Sequence, residues 1–574
     1  MYEGLNKIEK TIFNASSLFL VLFYSYSAVL KPAATQYHRG IYVIITYTLI
    51  FLIYKSKNIF MRILDYIFIT ASFVTISYWI FNFEAINYRT GAETQLDTSI
   101  AIVGVLIGIE LARRVVGGVF VILGALMLLY GVYGAHMPDL ISHAGATFPE
   151  LCTTIFYKSD GVFGIMANVL ATYVILFVIF GAFLKKCGAE RFFIDWPLAA
   201  VGHRIGGPAK VSVIASGLFG SVSGSAIANT VSTGTFTIPM MKKAGFKPHV
   251  AGAIEPAASI GGMFMPPIMG AGGFIMAELT GLPYSRIMLV ALFPAFMYFF
   301  SVFTMVHYEA KIHNIVGEKY KMGATELFKK EWFYTLPLVI ITIFMLSGYS
   351  PGYSAVLGLV TCLIISWVRK DTRIKFKEFT EAAREGTISS LKIGATLGII
   401  GIIIGVLSFS GLVLTFADII IELAGGSLFF TILLIALASL VLGMGVPVTA
   451  AYLITAVVAV PALTHLGVNP LAAHMIVYWL SQDSNITPPV CIAAFAGATI
   501  AKANMWKTAF SAFKFAKFLY LGPFLFGYVP GFSLDGSAFD IAKAFALIIL
   551  GTYMYSYFLS GHWIGYFKAR FKQG

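Results

Sequence analysis

At 574 residues, 58% of them hydrophobic and 12% charged, with a mean hydropathy of +0.83, the chain has too little polar surface to coat a water-soluble particle. It reads as a polytopic membrane protein. Threading from a cytoplasmic N-terminus leaves only Lys31, Arg39, Arg89, Lys158, Arg286, Lys514, Lys517 and Lys543 of the 40 Lys and Arg off the cytoplasmic side, so the net charge of +13 is a positive-inside bias rather than a nucleic-acid-binding face.

The stretches 11–30, 161–184, 211–241, 333–368 and 423–464 contain no Asp, Glu, Lys or Arg. About 20 such residues cross the hydrocarbon layer as a helix, and the runs lack the alternation of barrel strands, so an all-α fold is expected. The first apolar run, after Lys7 and Lys10, is longer than a signal core and is read as a retained span. Spans are expected near 11–31, 40–54, 63–83, 97–112 and 116–134, followed by an external connector at 135–160. A span at 161–184 leads to a cytoplasmic amphipathic stretch at 189–210. Residues 211–241 are uncharged, yet Lys210 stands at one end and Lys242, Lys243 and Lys247 at the other. Both ends prefer the same side, so a re-entrant hairpin is expected, with its tip in Gly220-Ser221-Val222-Ser223-Gly224-Ser225; two short spans are the alternative. The segment 249–280 then crosses, broken at Pro266-Pro267.

Further on come a span at 287–306, two spans within 333–368 turning at Ser350-Pro351-Gly352, a basic loop from Arg369 to Lys392 and a span at 393–412. A second hairpin, 428–464, has Gly443-Met444-Gly445-Val446-Pro447 at its tip, and a second broken segment, 469–501, is interrupted at Pro488-Pro489. Two last spans, near 513–530 and 541–561, precede a basic tail with Lys568, Arg570 and Lys572. Residues 217–284 and 439–506 are two copies of one unit without a gap: Pro239/Pro461, Pro248/Pro470, Pro266/Pro488, Pro267/Pro489, Gly245/Gly467 and Ser259/Ser481 are each 222 positions apart. The second copy starts from the opposite side, so the repeats are inverted. Paired interrupted segments of this kind point to the substrate site of a secondary transporter.

A helix that stops inside the membrane leaves backbone groups unpaired. These are tolerated where protein buries them or where they line a wet cavity; exposed N-termini attract carboxylates and exposed carbonyls hold small hard cations. Neither hairpin contains an acidic residue, and sodium needs only hydroxyl, amide and carbonyl oxygens, so sodium is preferred to the proton as the coupling ion. Ser221, Ser223, Ser225, Asn229 and Thr230 supply oxygens in the first copy, and Thr449, Ser484, Asn485 and Thr487 in the second, helix packing being the alternative for each. Glu255 and Asp483 lie inside the broken segments; ion ligand, proton carrier and paired structural charge all stay open for them. His249 and His474 read as packed histidines, and the four cysteines lack metal spacing. No Walker loop, zinc motif or nucleophile elbow is present, which speaks against an ATP-driven pump or an enzyme.

The string Ser221–Met241 (SVSGSAIANTVSTGTFTIPMM), with Gly261-Gly262-Met263-Phe264-Met265-Pro266-Pro267-Ile268-Met269-Gly270, resembles the large membrane subunit of TRAP transporters. Support comes from Phe180–Leu184, Gly206–Lys210, Leu442–Pro447 and Thr487-Pro488-Pro489, over roughly residues 97–530. The form with small and large subunits fused, as in the TAXI branch, is the most similar, although the first hundred residues match only by span number. The resemblance implies sodium-driven uptake of an organic acid handed over by a periplasmic substrate-binding protein, with elevator motion of the repeats against a scaffold, in a bacterial inner membrane. It also implies Ser223, Gly224, Ser225, Gly261 and Met265 as site residues in one half, and Gly443, Gly445, Pro447, Thr449 and Thr487 in the other. Ser481-Gln482-Asp483-Ser484-Asn485 departs from the branch in its polarity.

Together the expected ion ligands are Ser223, Ser225, Gly261, Met265, Gly443, Asp483, Asn485 and Thr487. The expected substrate contacts are Ser223, Gly224, Ser225, Asn229, Gly445, Val446, Pro447 and Thr449. No cofactor beyond the sodium ion is expected. The division that follows is a small-subunit-like scaffold module at 1–135, a connector at 136–160, repeats at 161–330 and 331–507, and C-terminal spans with a cytoplasmic tail at 508–574. A transporter of the same superfamily that needs no binding protein, a proton-coupled version using Glu255 or Asp483 and, more distantly, a membrane enzyme or channel are the rival readings.

Overall fold

A computed structural model describes residues 2–56, 58–444 and 446–561; the tip residue Gly445 and the basic tail with Lys568, Arg570 and Lys572 lie outside the described residues. Among the described residues the chain is helix and loop, apart from one antiparallel bridge between Ile205 and Val316. Among the described residues, ten helical segments are long and apolar enough to cross a bilayer.

The first module comprises Lys7–Val29, Thr35–Ile53, Ile59–Phe81, Gln95–Val115 and Gly118–Tyr133. Asn6 with Glu9, and Thr94 with Asp97, form capping boxes that begin two of these helices where the sequence turns apolar. Polar side chains gather at the two ends of the module. At one end Glu9 accepts from Lys55 and Arg62, and Arg114 reaches Asp65 at 2.5 Å. At the other, Tyr24 donates to the His38 carbonyl at 2.8 Å and Arg89 pairs with Asp97 at 2.6 Å. Successive helices therefore run in alternating directions.

Two segments carry more structure than their charge suggests. The connector contains the helix Phe148–Tyr157, whose Leu151, Cys152, Ile155 and Phe156 are buried, and the helix packs against Gln95–Val115. The basic loop expected up to Lys392 is mostly the amphipathic helix Phe376–Gly394. It buries Ala382, Ala383, Gly386, Thr387, Ser390 and Leu391 and leans on Ile175–Lys186, with Lys186 bonded to Glu381 at 3.0 Å. Its charges occupy the opposite face, and that helical period hides the burial from a search for uncharged runs.

In the first repeat, Gly207–Ser223 and Ala226–Lys243 form the arms of a hairpin turning at Gly224-Ser225; in each hairpin the first helix is the outer arm and the second the inner arm. Pro248–Gly261 and Gly270–Thr280 are the halves of a broken helix. In the second, the arms are Leu428–Leu442 and Val448–His465 and the half-helices are Pro470–Leu480 and Ile492–Ala501. The 222-residue register extends to backbone conformation. Pro266-Pro267 and Pro488-Pro489 are both cis, and Met269 and Cys491, each just before the second half-helix, both have positive φ.

The base of the first hairpin shows the inversion. Lys242 Nζ donates at 2.8 Å to the carbonyl of Ala501, the last residue of the second broken helix. That helix ends at the face where the first broken helix begins, so the two run antiparallel. They touch backbone to backbone: a Cβ on Gly252 would stand 3.0 Å from the Gly497 carbonyl oxygen.

Candidate functional site

The two breaks interlock. Phe264, in the first, stacks on Trp479 at the end of the half-helix before the second, with ring centroids 4.3 Å apart. Tyr478 reaches from the second repeat into the first break, its hydroxyl 2.8 Å from the Met263 carbonyl and 2.5 Å from that of Met269. A side chain on Gly272 would collide with the Tyr478 ring, so only glycine admits this approach. Tyr284 likewise donates to the carbonyls of Pro267 and Ile268, at 2.9 and 2.5 Å, and Tyr298 to that of Ala257 at 2.7 Å. The carbonyls of Met263, Pro267, Ile268 and Met269, freed by the first interruption, are thus bonded by tyrosine hydroxyls.

The second break is different. Gln482 is fully buried, with neither amide atom bonded to protein; Asp483 is also buried, and its Oδ1 has no protein partner. Thr449 Oγ1, on the inner arm of the second hairpin, is buried without a partner. Asn485 donates to the Gln482 carbonyl at 3.3 Å, and Thr487 Oγ1 lies 2.6 Å from the Tyr520 hydroxyl. Gly443 lies against Ser484, where any Cβ would strike its hydroxyl. Val446 and Pro447 complete the tip, and the Pro447 carbonyl accepts from Ala450 and Ala451 at 2.9 and 3.0 Å.

At the first tip Gly224 has φ +63°, a left-handed turn that glycine adopts without penalty, and Ser225 caps the inner arm by accepting from Ala228 N. Ser223 donates to the Ser225 carbonyl at 3.4 Å. A Cβ on Gly224 would stand 3.5 Å from Gly270 Cα, so the tip touches the start of the second half-helix. Asn229 is fully buried, donates to the Ser216 carbonyl at 3.1 Å, and has an Oδ1 without a protein partner, as do the hydroxyls of Thr230 and Ser259. Gly261 lies against the rings of Tyr298 and Phe299. Met265, with Pro266, Phe299 and Phe303, lines an apolar cavity of about 470 Å³ that suits hydrocarbon rather than a carboxylate.

Each tip therefore meets its own break, and the two breaks meet each other. Tyr478, Tyr284, Tyr298 and Gln482 belong to this centre, although their residue types alone do not mark them. The polarity around Gln482 was the one visible signal.

The match to the Tripartite ATP-independent periplasmic transporter, DctM component, runs over residues 103–532. The chain belongs to this family. It is a TRAP transporter permease, a multi-pass inner-membrane transporter and not an enzyme. The chain is 25% identical over 319 residues to a putative TRAP transporter large permease protein of Haemophilus influenzae, covering 55% of this chain and 74% of that one. It is 23% identical to the 2,3-diketo-L-gulonate TRAP transporter large permease protein YiaN of Escherichia coli, covering 62% and 83%. It is 22% identical to the C4-dicarboxylate TRAP transporter large permease protein DctM of Pseudomonas aeruginosa, covering 67% and 91%.

Proposed function

We propose that this permease imports an organic acid, delivered by a periplasmic substrate-binding protein, in symport with sodium, and that its hairpins and broken helices move as an elevator against a scaffold that includes residues 1–135. The observation supporting the chemistry is the set of buried oxygens without protein partners around the interlocked breaks: Asn229 Oδ1, Thr230, Ser259, Thr449, Gln482 and Asp483 Oδ1. Uncharged oxygens with a single carboxylate are a ligand set for a hard monovalent cation. No Lys or Arg lies between Val211 and Met241 or between Leu428 and Leu480, so the acid is met by hydroxyls, backbone dipoles and the bound cation. The relatives named for 2,3-diketo-L-gulonate and C4-dicarboxylates support a carboxylate substrate. The close fit of the first module to the matched region supports its scaffold role: Trp79 stacks on Phe163 at 3.8 Å, and Arg39 donates to the Phe163 carbonyl at 2.8 Å. Both chain ends are placed in the cytoplasm on the positive-inside rule.

A proton-coupled version has one specific observation in its favour, the buried Asp483 carboxylate with its unpartnered oxygen. Proteoliposomes containing the permease, given the cognate binding protein loaded with a C4-dicarboxylate or another acid it retains, distinguish the readings. Uptake driven by an inward sodium gradient and lost without the binding protein is expected. Uptake driven equally by a pH gradient without sodium would transfer the coupling to Asp483, and uptake equally fast without the binding protein would overturn the delivery step.

A further inference from the structure

Glu255 is fully buried in the first half-helix, between the two arms of the first hairpin. Its carboxylate accepts four hydroxyl hydrogen bonds: Oε1 from Ser216, at 2.5 Å, and from Thr233, and Oε2 from Ser212 and Thr237. Ser212 and Ser216 are one turn apart on the outer arm, Thr233 and Thr237 one turn apart on the inner arm, so each oxygen joins both arms. Gly234 allows the approach, since a Cβ there would stand 3.1 Å from Glu255 Cγ. An ionised carboxylate has about four lone-pair sites, and here all are used. A buried charge satisfied in this way ties together the elements that supply its donors, because withdrawing any one of them exposes an unpaired group.

The second repeat lacks this device. In the 222-residue register Val477 stands for Glu255, Leu434 and Ala438 for the two serines, and Ala459 for Thr237. Only Thr455 remains, in place of Thr233, and its buried hydroxyl has no protein partner. Among the described residues a single side-chain bond, between the Tyr452 hydroxyl and His474 Nδ1 at 3.0 Å, joins this hairpin to its half-helix, and it comes from the inner arm. The outer arms differ as well. In the first hairpin 14 of 17 outer-arm residues are buried, but in the second only Thr431, Ile432, Ile435 and Ser439 of 15.

We propose that the hairpins have different mechanical roles: Glu255 is a positioning residue that fastens both arms of the first hairpin to their half-helix as one rigid body, and the second hairpin, whose outer arm has no such fastening, is the one that swings to admit and release solute. This rests on the transporter reading but not on the choice of driving ion. The test is peptide-resolved hydrogen exchange of the full-length protein in lipid nanodiscs, without any gradient, so that it can fail while uptake succeeds, or the reverse. In the wild-type protein, amides of 208–240 should exchange at least about tenfold more slowly than those of 429–463, the ratio given by ~1.4 kcal/mol of extra local stability. Glu255→Val, which copies the second repeat, should remove that difference while leaving exchange in the second hairpin and the first module unchanged. Glu255→Gln should keep most of it, because serine and threonine hydroxyls can turn to accept from the amide. If Glu255→Val does not insert, the wild-type comparison and Glu255→Gln decide alone. Equal exchange of the two hairpins in the wild-type protein, faster exchange of the first, or a rise spread over all spans in Glu255→Val would each overturn the proposal.

Discussion

Asp483 and Glu255 are both acidic residues inside broken helices, yet their surroundings differ. Glu255 has every lone pair engaged, whereas Asp483 keeps one buried oxygen free of protein partners. If sodium is held at the second break, Asp483→Asn should raise the half-saturating sodium concentration for uptake by roughly 10- to 100-fold, the span of ~1.5–3 kcal/mol for a charge-assisted contact. Ser223→Ala and Thr487→Ala should weaken sodium dependence less, about tenfold or below, without affecting membrane insertion. Thr487 already has a neutral partner in Tyr520, and Ser223 in the Ser225 carbonyl. A sodium titration of uptake unchanged in all three variants would refute these residues as ligands. Part of this centre was legible in advance: hydroxyl and amide residues beside paired prolines announce oxygen ligands. Tyr478 was not legible, because a tyrosine in an apolar run looks like any buried aromatic until the opposite repeat is laid against it.

At the scale of elements, the half-helices hold together through contacts that need small residues on one side and a hydroxyl on the other. Tyr478→Phe leaves the Met263 and Met269 carbonyls without their donor and should destabilise the protein by about 1–3 kcal/mol, the cost of a buried unsatisfied polar group. Gly497→Val should cost a similar ~1–3 kcal/mol through overpacking at the crossing with Gly252. Thermal unfolding of the purified variants in one detergent measures both, and midpoints equal to the wild type would remove the role given to the crossing. The helices Phe148–Tyr157 and Phe376–Gly394 belong to this scale too. One was hidden by its brevity and the other by its charge, since burial of a single face does not require an uncharged run.

For the whole molecule, the inverted arrangement predicts opposite accessibility of the two hairpin bases. The four native cysteines are all buried, so an introduced cysteine can be followed against a low background. A membrane-impermeant maleimide added outside intact cells should label Ser427→Cys, at the base of the second hairpin, and spare Lys247→Cys beside the base of the first. Inside-out vesicles should reverse the pattern. Labelling of both from one face would contradict the antiparallel repeats inferred from the Lys242 to Ala501 bond.

The amino-acid sequence by itself determined the membrane class, the helical fold, the repeat at 222 residues and the location of the breaks. These follow from composition, from charge at segment ends and from prolines, all of which act locally along the chain. Only the tertiary structure decided which freed carbonyls are satisfied by tyrosines, that Glu255 is saturated by hydroxyls from two arms, and that polar atoms remain unpaired at the second break. Those outcomes depend on atoms brought together from positions up to 215 residues apart, and whether a buried polar group is satisfied is a property of its packed surroundings rather than of its residue type.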